Sequence, residues 1–235
     1  MNSTIARLSV QALFGRRRGV VLVLIPGILV ALAIIVRALT EEGVGYEAVL
    51  SLGFTLALPI VALLSSAAVL GPEVDDGSIV YLLAKPVSRH VVAISKYAVA
   101  WAATMALGAF PLLVSGLIID TSDPRQAVGW LVAGIVAGTT YTALFLGLAA
   151  LTRHAVVAGL LFVLLWEGLL GNLFTGIRWL AIGAWGRDAG HAVSSALETS
   201  ETGLTYALVA AVVVSVGSVW FAGDRLRSFT LRGDE

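Results

Sequence analysis

The chain has 235 residues, of which 58% are hydrophobic and only 13% charged, and its mean hydropathy is +0.94. A soluble domain carries about 25% charged residues, so this chain lacks the polar surface to dissolve as a globule and its expected solvent is the bilayer. Net charge is zero, which gives no bulk attraction to nucleic acid, and the absence of cysteine excludes disulfides, thiolate metal sites and cysteine nucleophiles together.

Residues 2–18 set Ile5, Leu8 and Ala12 at helical spacing ahead of Arg16, Arg17 and Arg18. This pattern predicts a short helix lying in the membrane interface with its arginines among anionic headgroups, the other reading being a disordered basic tail. A membrane helix needs about 20 apolar residues to cross roughly 30 Å of hydrocarbon. Six runs qualify: 19–36, 49–70, 91–119, 127–151, 155–174 and 204–221. The first is long for the apolar core of a signal peptide and reads as a retained span. Pro26, Pro59 and Pro111 fall inside spans, where neighbouring groups re-satisfy the backbone that proline frees. With the N-terminus in the cytoplasm, Arg37, Arg125, Arg178 and Arg187 face outside and the remaining Lys and Arg residues face inside. That asymmetry places both termini in the cytoplasm.

Between the second and third spans runs "GPEVDDGSIVYLLAKPVSR", residues 71–89. Gly71-Pro72 ends the second span, and Glu73, Asp75 and Asp76 follow. Gly77-Ser78 forms a turn and helix N-cap. Ile79, Val80, Leu82 and Leu83 then make a short apolar helix with Tyr81, which Pro86 stops. Ser88 can cap the third span, with Arg89 at the headgroups and Lys96 near the span's start. A short apolar helix with flanking charges, held out in the cytoplasm, suits a groove on a partner. The other reading is a hairpin resting on lipid.

The fourth span carries Gly134-x-x-x-Gly138, a pattern that allows close helix approach. The fifth contains "LLWEGLLGNLF", in which Glu167 is a carboxylate deep in an apolar run. A membrane-buried carboxylate is a functional candidate, here in a transport path together with Asn172. Its structural alternative is a carboxylate bonded to backbone or to Asn172. Residues 175–203 mix apolar and charged positions and hold no span; they predict one or two short amphipathic helices on the outer surface, able to dip back into it. Trp101 and Trp220 are expected towards the inner interface, and Trp130, Trp179 and Trp185 at the outer one.

Catalytic signatures are missing. The chain has no G-x-x-x-x-G-K-[ST] and no H-E-x-x-H. His90 and His154 fall on one side of the membrane and His191 on the other. Two methionines and no cysteine argue against a soft-metal path. An enzyme is not expected, and neither inverted repeats nor several buried ionisable residues point to a secondary transporter.

The stretch "PEVDDGSIVYLLAKPVSRHVVAISKY" resembles the first cytoplasmic loop of ATP-binding-cassette (ABC) exporter permeases of the type-2 family, at Glu73, Gly77, Ser78, Ile79, Leu82, Leu83, Ala84, Pro86, Val87, Arg89 and Lys96. Ser78 replaces the commoner threonine. The resemblance implies an all-α membrane protein with the type V exporter fold: one transmembrane domain over 1–235, with an interfacial helix (2–18), six spans, a cytoplasmic coupling-helix loop (72–90) and an outer loop (175–203). It implies a prokaryotic plasma (inner) membrane permease that pairs with a second permease subunit, as a homodimer, within membrane lipid. Two copies of a separate ABC ATPase subunit would dock at Glu73, Gly77, Ser78, Tyr81, Leu82, Leu83, Pro86 and Arg89. ATP and Mg would be bound by that partner, with no cofactor in this chain and no nucleic-acid partner. The apolar spans fit export of a hydrophobic or amphipathic cargo. The alternative is an ABC-type membrane component serving maturation or assembly of an exported enzyme.

Overall fold

The computed structural model describes residues 7, 9, 10, 13, 15, 18–75, 88–170, 175–200 and 202–228, without the side chains of 18, 71–75, 175, 227 and 228. All regular structure among these residues is helical. In chain order the long elements are α1 (Arg18–Leu39), α2 (46–75), α3 (Arg89–Ile119), α4 (Pro124–Leu151), α5 (Ala155–Leu170), α6 (Ile182–His191) and α7 (Leu204–Ser228), with a 3₁₀ turn at Thr175–Leu180. Before α1, residues Arg7, Ser9, Val10 and Leu13 are helical, and Leu13 packs beside Leu22, Val61 and Ala100. Ile5, Leu8 and Ala12 lie outside the described residues.

Five helices are long and apolar enough to cross a bilayer: Gly19–Leu39, Tyr46–Leu70, Arg89–Ile119, Pro124–Leu151 and Leu204–Leu226. The chain is a multi-pass, all-α membrane protein. The predicted fifth span is described only over Ala155–Leu170, about 24 Å at the helical rise and short of the hydrocarbon thickness. Residues 171–174 lie outside the described ones.

Helix ends follow local chemistry. Ser88 caps α3, its Oγ accepting from the Val91 amide at 3.4 Å, as expected. Asp123 caps α4 by accepting from the Arg125 amide, and Pro124 opens the helix where its missing N–H costs nothing. The turn into α2 needs glycine: Gly43 and Gly45 have φ of 82° and 77°, which side-chain-bearing residues adopt at a cost.

α4 is the central helix, with 61% of its apolar stretch buried against 11% for α7. Lipid gives little hydrophobic drive to helix pairing, so close backbone approach does the work. A Cβ at Gly134 would lie 3.1 Å from Ala109 Cβ, and one at Gly138 would lie 2.9 Å from Met105 Cε. The Gly134-x-x-x-Gly138 face thus seats α3.

In the loop at 175–203, of the two dispositions the sequence allows, α6 takes the one drawn inward. In α6, Ile182, Gly183, Ala184, Trp185, Gly186, Asp188, Ala189 and Gly190 are all buried. A Cβ at Gly186 would meet the Ala133 carbonyl at 2.8 Å, and one at Gly190 the Gly129 carbonyl at 2.7 Å. Glycines on both partners let α6 press backbone to backbone against α4, so the loop dips into the bundle. Trp130 and Trp185 are correspondingly buried in protein. Trp130 packs edge-on against Phe54 at 5.6 Å between ring centroids, and Trp185 donates to the Trp179 carbonyl at 2.9 Å. Trp220 stays 65% exposed, as an interfacial position requires.

Candidate functional site

Glu167 lies in Phe162–Leu170, a wide-turned π-helical stretch of α5. π-Helix appears mostly as single-turn bulges, often at functional sites. The carboxylate turns towards α6: Oε1 accepts from the Ile182 amide at 2.7 Å and Oε2 from the Gly183 amide at 3.1 Å. The Tyr141 hydroxyl of α4 donates to it as well. These amides are the first two of α6, whose own N-cap, Ala181, supplies no side-chain bond. The first amides of a helix have no internal partner, and its N-terminus favours negative charge. Glu167 therefore caps α6 from another helix and ties α4, α5 and α6 together.

One turn further along α6, the Arg187 guanidinium lies over the Phe54 ring at 5.9 Å from its centroid, a cation–π contact. Arg187 lines two adjoining pockets, the first mainly polar and the second mainly apolar. One, of about 130 Å³, is walled by Glu167, Arg178, Arg187, Glu198, Thr199 and Ser200. The other, of about 270 Å³, is walled by Glu47, Ser51, Trp130, Arg187 and Glu198 among others. Both signs of charge thus line the end of the bundle that holds α6.

Asp188 holds the far side of this end. Its Oδ1 accepts from Thr199 Oγ1 at 2.9 Å and the Ser200 amide at 2.6 Å, and its Oδ2 from the Thr202 amide, Thr202 Oγ1 and the Gly203 amide. Burial opposes its charge, but the bonds from Thr202, Ser200, Thr199 and Gly203 together prevail and hold its carboxyl below the usual aspartate range. At the opposite end of the bundle, Lys96 is 1% exposed and donates to the Val69 carbonyl at 2.6 Å, joining the last turns of α2 to α3. The sequence reading placed Lys96 near the start of its span and singled out Glu167 alone as a buried charge; Lys96 is buried too.

Of the proposed docking residues, Gly77, Ser78, Tyr81, Leu82, Leu83 and Pro86 lie outside the described residues, as does Asn172 of the proposed path. Glu73 is helical, with its side chain undescribed. Arg89 is half-buried, and its Nη1 is shielded with no hydrogen-bond partner among the described residues.

Long apolar helices packed on small residues, with a short helix drawn back into one end of the bundle, define a polytopic α-helical membrane protein. The family model described as "ABC-2 family transporter protein" matches residues 10–177, well over half of the chain, and the chain belongs to that family. It is an ABC transporter permease subunit, and membership implies an ABC ATPase partner in general terms. The match ends just before α6. Comparison with curated proteins gives no significant match.

Proposed function

We propose that the chain is the membrane subunit of an ABC exporter for a hydrophobic or amphipathic cargo. It acts as a homodimer in a prokaryotic plasma membrane with both termini cytoplasmic. Two copies of a separate ATPase, which bind ATP and Mg, dock on residues 72–90. Family membership is the observation that carries this reading. An apolar cleft of about 680 Å³ between α4, α5 and α7, lined by Phe145, Leu161, Phe162, Trp166, Phe221 and others, supports it, since it suits a greasy cargo. Glu167, with the pockets beside it, is the proposed outer part of the path.

The test is at the docking helix. Leu82 and Leu83 fill an apolar groove on the ATPase, and burying one leucine is worth roughly 1.5–3 kcal/mol. The double change Leu82→Asp, Leu83→Asp lies outside the spans, so insertion is unaffected. The altered permease is expected to lose ATPase on purification and to stop stimulating ATP hydrolysis. Ser78→Ala is expected to do less, since a cap is worth about 0.5–2 kcal/mol. Retention of the ATPase with coupled hydrolysis by the double variant would leave the lipid-resting hairpin as the better account of this segment.

A further inference from the structure

We infer that His90, Trp220 and Gly223 form the joint that passes movement of the docking segment to α7, with His90 as its positioning residue. This rests on the proposed docking of an ATPase at residues 72–90. His90 is the second residue of α3 and follows the segment directly. Its ring stacks on Trp220 of α7, with centroids 4.4 Å apart and planes 26° from parallel. Gly223, one turn on along the same face of α7, receives the other part of the ring. A Cβ there would overlap Nδ1 and lie 3.0 Å from Cε1 and 3.1 Å from Cγ. Only glycine leaves room for the imidazole. Chain neighbours of these residues, Val92, Ala222 and Leu226, belong to a buried apolar cluster that also takes in Leu70, Ala149 and Ala150, so four helices meet there.

The mechanics follow from packing. A ring stacked on Trp220 and lodged against the Gly223 backbone cannot shift without moving α7, because atoms already in contact cannot be pushed closer. The start of α3 is already tied to the end of α2 by Lys96 on the Val69 carbonyl, so both ends of the docking segment move together. Among the five long helices described, α7 has the least buried apolar stretch. It also forms one wall of the apolar cleft through Gly217, Ser218 and Phe221. Motion entering at His90 therefore reaches the cleft through α7.

The chain has no cysteine, which permits a reversible test in the complete permease–ATPase complex. The variants are His90→Ala, His90→Phe and the pair H90C/G223C. A side chain on residue 223 points at the base of the residue-90 ring, so the two sulfurs can meet within disulfide geometry. All variants are expected to insert and to co-purify with the ATPase. His90→Ala is expected to lose permease-stimulated ATP hydrolysis, and His90→Phe, which keeps a stacking ring, to retain it. H90C/G223C is expected to stimulate when oxidised and to lose stimulation on reduction. Full stimulation by His90→Ala, or equal rates for the oxidised and reduced pair, would overturn the joint. Failure of the unaltered chain to bring down any ATPase would instead overturn the docking proposal, and is read before any variant.

Discussion

Glu167 and Asp188 hold the same short helix from opposite sides, and their chemistry predicts different failures. Asp188→Asn removes the charge that several amides and hydroxyls converge on and leaves buried donors unmet, at about 1–3 kcal/mol each. A clear fall in the thermal midpoint of the purified permease is expected. Because the Asp188 carboxyl is held below its usual range, its contribution is fully present above the unfolded value of about 3.9 and is lost as pH falls through the folded value. Stability attributable to Asp188 is therefore expected to be flat from pH 7 to about 4 and to drop only on further acidification, a drop that Asp188→Asn lacks. Glu167→Gln keeps one acceptor for Ile182 or Gly183 and turns an NH₂ towards the other amide. Insertion is expected to survive while export falls; export at the normal rate would leave Glu167 as a cap for α6 alone. Glu167 was legible in the sequence because a carboxylate stands out in an apolar run. Bonding to backbone was one of its two expected roles, but the Ile182 and Gly183 amides themselves were not legible, because backbone amides carry no sequence signature. Asp188 sat among other polar residues of a loop, and nothing local marked it as the one that would be buried.

Two spans solve the same problem at element scale in the same way. "GFTLALP" at 53–59 and "MALGAFP" at 105–111 each hold a five-residue π turn ending two residues before a proline. Leu58 bonds back to the Gly53 carbonyl and Phe110 to the Met105 carbonyl, five residues away instead of four. Proline has no N–H and its ring presses on the carbonyl four residues earlier, and widening the turn just before it makes room for that carbonyl. The two wide turns nest: a Cβ at Gly53 would lie 2.8 Å from Leu112 Cδ2, and one at Gly108 2.8 Å from Leu58 Cδ1. Gly108→Val is expected to destabilise by about 1–3 kcal/mol, the usual cost of overfilling a packed site, read as a lower thermal midpoint of the inserted protein. An unchanged midpoint would mean that the two turns do not nest. The prolines were visible in the sequence, and so were the apolar runs and the Ser88 cap. The π turns were not, because hydrophobic periodicity in a span that is apolar on every side does not report the local pitch.

For the molecule as a whole, composition alone specified the solvent, and the apolar runs anticipated the order of the spans. The sequence reading let the loop helices lie on the surface or dip back, and could not choose, because a Gly-rich, Trp-containing loop helix has the same composition on a surface as in a crevice. The two ends of the bundle differ chemically. Glu41, Glu42, Glu47, Asp120, Asp123, Asp188 and Glu198 outnumber Arg37, Arg125, Arg178 and Arg187 at the end that holds α6, while Arg18, Arg89, Lys96, Arg153, Arg225 and Arg227 outnumber Glu73, Asp75 and Asp224 at the other. The Glu42 carboxylate bridges the two short loops of the acidic end, accepting from the Thr121 amide at 3.0 Å and its hydroxyl at 2.6 Å, with Arg37 3.8 Å away. Basic residues are retained on the cytoplasmic side during insertion, whereas acidic ones contribute little to orientation. The basic end, with residues 71–89, is therefore expected to face the cytoplasm. The Cys-free background makes the measurement direct. With a membrane-impermeant thiol reagent, D76C is expected to label only after the cells are opened, and E198C, on the exposed outer loop, to label in intact cells. Labelling of D76C from outside would invert the bundle. An ATPase in the cytoplasm would then have no access to the docking segment, and the transport mechanism would fail with the topology.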